Sequence, residues 1–106
     1  MDVSLNDVTV THNEETHRFE AGIGGLRASI TYSRFPGRIP YNHTEVPQPL
    51  EGQGMAAELA CVALDFSRVN DLRVVPLCPN VSSLIRKHPE YQDLVSSDDL
   101  QKLLSR

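Results

Sequence analysis

The sequence predicts an α+β domain built on a mixed sheet, mostly antiparallel, with helices packed on it. Three observations lead there. Four runs in the residues up to Val46 alternate apolar and polar with period two, with turns between them. After Gly52 the apolar residues recur at helical spacing, and a short β-branched run, 72–78, lies between two helical segments. A helix linking two strands is normally a right-handed crossover joining parallel strands, so the sheet gains one parallel pair.

Val8, Thr9, Val10, Thr11 and His12 alternate, as do His17, Arg18, Phe19, Glu20 and Ala21. The four polar residues 13–16 between them predict a hairpin. Gly22-Ile23-Gly24-Gly25 reads as a turn. Residues 26–32 are the cleanest alternation, with Leu26, Ala28, Ile30 and Tyr32 on one face and Arg27, Ser29 and Thr31 on the other. Phe35-Pro36-Gly37-Arg38 is a second turn. A fourth strand over 39–46 then places Ile39, Tyr41, His43 and Glu45 on one face and Asn42, Thr44 and Val46 on the other.

The spacing predicts a helix from Gly52 to about Val69, whose stripe is Met55, Leu59, Val62, Ala63 and Phe66. Small residues at 56, 60 and 63 let it approach a sheet closely. Asn70-Asp71 ends it, and 72–78 reads as a covered strand. A second helix carries Val81, Leu84 and Ile85, and Pro89 stops it by biasing His88 out of helical geometry. Ser97-Asp98-Asp99 reads as the cap and acidic first turn of a last helix carrying Leu100, Leu103 and Leu104.

At 106 residues the chain is one domain, 1–106, able to bury roughly 60–70% of its unfolded surface. With no Trp, three Phe and three Tyr, its core is aliphatic. The net charge is −4 and the two signs are interspersed, so composition argues against nucleic acid or a membrane surface as partner. The opening residues lack a basic, then apolar, signal pattern, and the expected location is cytoplasmic. Cys61 and Cys78 make no disulfide framework and are expected as free thiols. The sequons at Asn42 and Asn80 are read as chance matches.

Three segments carry chemistry. Gly52 and Gly54 stand at the mouth of a helix just after a strand, where uncovered N–H groups suit a phosphate, although a bare pair of glycines also serves as a simple loop. Tyr41, His43 and Glu45 on one strand face supply either a general base with a proton relay or an ordinary solvated face. Pro76 cannot donate to a sheet ladder, and Pro47 follows the preceding strand, so those strands part at one end and open a wedge. Cys78 lies at that opening, before Pro79, a favoured first helical residue. A helix N-terminus favours the thiolate of a cysteine, while a buried cysteine also serves as a small hydrophobe. No Cys or His spacing fits a metal site.

Taken together, His43-Thr44-Glu45-Val46-Pro47, Leu50-Glu51-Gly52-Gln53-Gly54-Met55-Ala56, Val75-Pro76-Leu77-Cys78-Pro79 and Arg86-Lys87-His88-Pro89-Glu90-Tyr91 resemble the GNAT superfamily of acyl-CoA-dependent N-acetyltransferases. The nearer likeness is to its short, single-domain branch, over about residues 5–95. The superfamily loop reads Gln/Arg-x-x-Gly-x-Gly/Ala; Gly54 and Ala56 match it and Glu51 departs from it. The resemblance implies the GNAT fold with splayed central strands gripping the pantetheine arm. It implies acetyl-CoA as cosubstrate, held by Val46, Glu51, Gly52, Gln53, Gly54, Met55, Ala56, Cys78, Asn80, Ser83 and Arg86, with no metal. Cys78 aligns with the catalytic candidate of the short branch, and Glu45 and His43 are the positions for a base that deprotonates an amine. The acceptor is a small amine or a protein lysine, and the chain is a monomer or weak homodimer. The segment that usually binds the acceptor is nearly absent, so the acceptor pocket is expected to be shallow or completed by a partner chain. The alternative function is a CoA- or acyl-CoA-binding module without catalysis; a small interaction domain with no ligand is the plainest reading.

Overall fold

The computed structural model describes residues 9–23, 25–51 and 54–105. Five strands form one sheet in the order β1-β2-β3-β4-β5. They are β1 (Thr9–Asn13), β2 (Arg18–Ile23), β3 (Leu26–Tyr32), β4 (Arg38–Glu45) and β5 (Arg73–Pro76). The first three pairings are antiparallel and β4–β5 is parallel. Helix α1 (Met55–Val69) makes the crossover between β4 and β5, and α2 (Pro79–Lys87) and α3 (Ser97–Leu104) follow. Leu5, Val8, Gly24, Gly52 and Gln53, named by the sequence readings, lie outside the described residues.

The strands follow side-chain chemistry with shifted ends. The side chain of Asn13 accepts the N–H groups of Glu15 and Thr16 (3.1 and 3.2 Å), so Asn13 closes β1 and the turn covers 14–17 instead of 13–16. Gly22 and Ile23 extend β2 instead of turning, because Ile23 pairs with Leu26 and only two residues link them. β3 keeps the expected bounds and faces, with Ala28, Ile30 and Tyr32 buried. In the Phe35–Arg38 turn Gly37 adopts φ 70°, which glycine tolerates without strain, and its carbonyl accepts the N–H of Arg73.

The alternation fails in β4. Tyr32 pairs with Tyr41, but Thr31 pairs with His43 and Ile30 with Thr44. Asn42 is therefore an extra residue, a β-bulge that turns the rest of the strand over. Directly opposed residues share a face. Tyr41 and Thr44 thus lie on the face of Ile30 and Tyr32, whereas His43 and Glu45 lie on the outer face with Thr31 and Ser29. The predicted set of Tyr41, His43 and Glu45 on one face is overturned.

Helix α1 begins at Met55, not Gly52, and packs Met55, Leu59, Ala60, Ala63, Leu64 and Ser67 into the core. Val62 and Phe66, predicted in the stripe, are half-buried at its flank. Ser67 is the buried polar residue of the described core, and Tyr41 explains it. The Tyr41 hydroxyl donates to the Ala63 carbonyl (2.7 Å) and shares a 2.7 Å contact with Ser67 Oγ. Burial holds this phenol well above its ordinary value of 10.0, so it stays a neutral donor.

Pro79 opens α2 and His88, with φ −123°, ends it as expected. α3 is capped by Ser96 Oγ, which accepts the Asp99 N–H at 3.3 Å, one residue before the expected cap. Between them Pro89–Leu94 forms a 3-10 run. Arg68 clasps it to α1 through two 2.9 Å bonds to Asp93 and a bond to the Glu90 carbonyl. Val95 then bridges Val74 and covers the free edge of β5.

Two predictions follow from the packing. Tyr41→Phe strips a buried donor from α1 and lowers unfolding free energy by about 1–2 kcal/mol in urea titrations; an unchanged midpoint refutes the tether. His12 Nε2 lies 2.6 Å from the Tyr32 hydroxyl, its ring stacked on Phe19 at 4.1 Å and meeting Phe66 edge-on at 4.5 Å. Burial lowers its pKa below 6.5; Arg34 and His17 act the same way and Glu14 opposes them. The unfolded chain then binds the proton more readily, so this contribution is intact above about pH 6.5 and is lost as pH falls below it. His12→Phe keeps the stacking and flattens stability against pH between about 7 and 5; a slope equal to that of the unsubstituted protein contradicts the assignment.

Candidate functional site

The site grows from the end of the parallel pair. β4 and β5 are in register from Arg38 with Arg73 to Tyr41 with Pro76, and there the pairing stops. The Tyr41 carbonyl accepts the last two bonds, from the N–H groups of Leu77 (3.2 Å) and Cys78 (3.0 Å). Beyond it β4 runs on to Glu45 paired with β3 alone. Pro76 lacks an N–H to continue the ladder, as its place in the sequence predicts. The strands therefore part over Thr44, Val46 and Cys78.

Cys78 is the N-cap of α2 through its backbone, with its carbonyl accepting the Ser82 N–H and no cap bond from its side chain. Its thiol is buried, 1% exposed, and its partner is Thr44 Oγ1 at 2.8 Å. Thr44 reaches the thiol because of the Asn42 bulge. Without that extra residue Thr44 would point to the outer face and His43 to the thiol.

A groove of about 650 Å³ opens beside this pair, lined by Thr44, Glu45, Val46, Pro47, Glu51, Ala56, Asn80 and Arg27. Its far wall is the start of α1. Gly54 is the N-cap there at φ 80°, ψ 7°, a left-handed conformation suited to glycine. The first intrahelical bond runs from the Glu58 N–H to the Gly54 carbonyl, and among the described residues no side chain caps the turn. The N–H groups of residues 54–57 are thus free of the helix's own ladder and carry its partial positive charge. Asn80 Nδ2 donates to the Ala56 carbonyl at 3.0 Å and so fixes the first turn of α1 against the first turn of α2.

The predicted site residues divide accordingly. Val46, Glu51, Ala56 and Asn80 line the groove. Met55 is in the core and outside the described groove lining. The Glu51 N–H is taken by the Gln48 carbonyl, so Glu51 brings only its carboxylate. Ser83 and Arg86 lie farther along α2 and outside the described groove lining. His43 Nε2 and Glu45 Oε1 stand 3.4 Å apart, both largely exposed, and Glu45 borders the groove. Tyr41, considered for a relay, is committed to α1 instead. The sequence reading missed Thr44 and Arg27 as groove residues. Arg27 enters from β3, its guanidinium 3.4 Å from Glu20. Among the described residues no three His, Cys, Asp or Glu side chains gather as metal ligands.

A mixed five-stranded sheet with its one parallel pair splayed beside an uncapped helix start is a GNAT-like fold. The family model described as GCN5-related N-acetyl-transferase matches residues 18–94, from the start of β2 to the end of the 3-10 run, and the chain belongs to that family. It is similar to Protein NATD1 of Bos taurus, 33% identical over 90 residues that cover 82% of this chain and 80% of that one. Protein NATD1 of Mus musculus is 32% identical with 82% of each chain covered, and that of Danio rerio 27% identical over 101 residues with 90% of each covered.

Gly54→Ala forces a Cβ into the left-handed region and lowers stability by about 1 kcal/mol in chemical denaturation. No loss would mean that the helix start adopts another conformation.

Proposed function

We propose that the protein transfers an acetyl group from acetyl-CoA to an amine, either a small molecule or a protein lysine. The parting of β4 and β5 over the Thr44–Cys78 contact, next to the uncapped start of α1, carries this reading. Membership of an N-acetyltransferase family supports it.

The N–H groups of residues 54–57 suit the diphosphate, since a helix start offers aligned donors to an anion. Gly52 and Gln53 belong to the same proposed loop. The edge of β4 from Asn42 to Glu45 has backbone groups free on the β5 side for the amides of the pantetheine arm. The thioester then comes to Thr44, beside Cys78. His43, whose Nε2 lies 3.4 Å from Glu45 Oε1, serves as the base that takes a proton from the amine, and it stands on the outer face where an acceptor can reach it. Cys78 serves at the sulfur end of the thioester. The rival reading, a module that binds CoA without turnover, is favoured by the burial of that thiol.

Acetyl-CoA at 100 times its Kd adds about 2.7 kcal/mol to stability, read as a rise in Tm. Against a panel of amines, thiol release from acetyl-CoA is expected, and Cys78→Ala lowers kcat about 100-fold with Kd unchanged. Binding without release for any amine selects the non-catalytic module. Absence of binding at about millimolar CoA overturns both.

A further inference from the structure

We propose that Thr44 relays the proton of Cys78 to the departing thiolate, so that Cys78 acts through Thr44 and does not carry the acetyl group. This rests on the acetyl-CoA reading above and decides what its cysteine does. The Cys78 thiol is buried and does not line the groove, whereas Thr44 does both: it lines the groove and lies 2.8 Å from the sulfur. Both backbones are pinned. Cys78 N–H is bonded to the Tyr41 carbonyl, and Thr44 pairs with Ile30 past the bulge. A nucleophilic sulfur must come within about 3–3.5 Å of the thioester carbon. Thr44 lines the groove in contact with the buried sulfur, so a thioester in the groove meets the hydroxyl before the thiol. A hydroxyl is both donor and acceptor, so the same side chain that blocks attack can pass a proton on.

In the step this assigns, the neutral amine attacks the thioester carbonyl and the C–N bond forms. The tetrahedral intermediate collapses, and the C–S bond breaks with its electron pair on the CoA sulfur. That sulfur takes the Thr44 hydroxyl proton while Thr44 oxygen takes the Cys78 thiol proton. The proton shed by the amine nitrogen leaves through the His43–Glu45 pair to solvent, and one from solvent restores the Cys78 thiol after release. The sum is amine plus acetyl-CoA giving amide plus free CoA.

Thr44→Val removes the hydroxyl and keeps the shape. It is expected to lower kcat about 100-fold with the acetyl-CoA Kd unchanged, and Thr44→Ser restores most of the rate. Adding Cys78→Ala to Thr44→Val costs little more, because both break one chain. The proton inventory in mixed light and heavy water is curved for the unsubstituted protein, with two protons in flight, and linear for Thr44→Val. In a Cys61→Ala background, Thr44→Ala speeds labelling of Cys78 by a thiol reagent at least about tenfold in the ligand-free protein, a readout independent of turnover. Acetyl found on Cys78 after rapid quench, a Thr44→Val variant with full kcat, or unchanged labelling overturns the relay while leaving acetyl transfer standing. A protein that neither binds acetyl-CoA nor turns it over sinks the parent reading and the relay with it.

Discussion

Tyr41 fixes where the sheet opens. Its carbonyl takes the N–H groups of both Leu77 and Cys78, the last bonds between β4 and the chain leaving β5. Its hydroxyl is bonded to the Ala63 carbonyl and to Ser67 on α1. One buried residue therefore joins the strand that ends the parallel pair, the helix that crosses over it, and the cysteine that starts the next helix. Leaving such buried groups without partners costs about 1–3 kcal/mol each, so the opening has little freedom to drift along the strands. The groove mouth is set by the carbonyl of a residue whose side chain is committed to α1 and does not face the groove.

Much of this was legible in the sequence. The run 26–32 shows the expected bounds and faces because its pairing with β2 is regular from Leu26 to Thr31, and the extra residue of the β3–β4 ladder lies on β4. The core positions of α2 and its opening Pro79 were legible too, since spacing and a fixed proline φ are local properties. The wedge was signalled by Pro76. What could not be read was the Asn42 bulge, because a bulge is defined by the partner strand, and a one-residue change of register turns every later side chain over. One local sign was available: Ile39, Pro40 and Tyr41 are three successive buried residues in a strand read as alternating. The bulge turns Thr44 to the face of Tyr41, where it meets the thiol, and His43 and Glu45 away from it. The cap of α3 was off by one for a smaller reason, since Ser96 and Ser97 are equally able to cap and only backbone geometry selects between them.

The groove's charges bear on the proposed binding of an anion. Glu45 and Glu51 line it, and its one described guanidinium, Arg27, sits beside Glu20. An exposed pair of this kind contributes little and is screened by salt. In the proposed reading, attraction for a diphosphate comes from the N–H groups at the start of α1, whose effect is confined to one helical turn and depends on close fit. The Glu51 N–H, taken by the Gln48 carbonyl, adds no donor to that set.

The bulge also divides the two ends of the proposed reaction between the two faces of the sheet. Before Asn42 the inward residue is Tyr41; after it, Thr44 faces inward with the thiol behind it, and His43 and Glu45 face outward. In the proposed reaction, a thioester along the end of β4 would have His43 on the solvent side and the Thr44 hydroxyl on the core side. Had β4 kept a regular alternation, Tyr41, His43 and Glu45 would share one face and His43 would turn to the core. The extra residue at Asn42 is thus the element that lets a single strand present Thr44 to the core side and the His43–Glu45 pair to solvent, the two sides at which the proposed reaction sheds and supplies a proton.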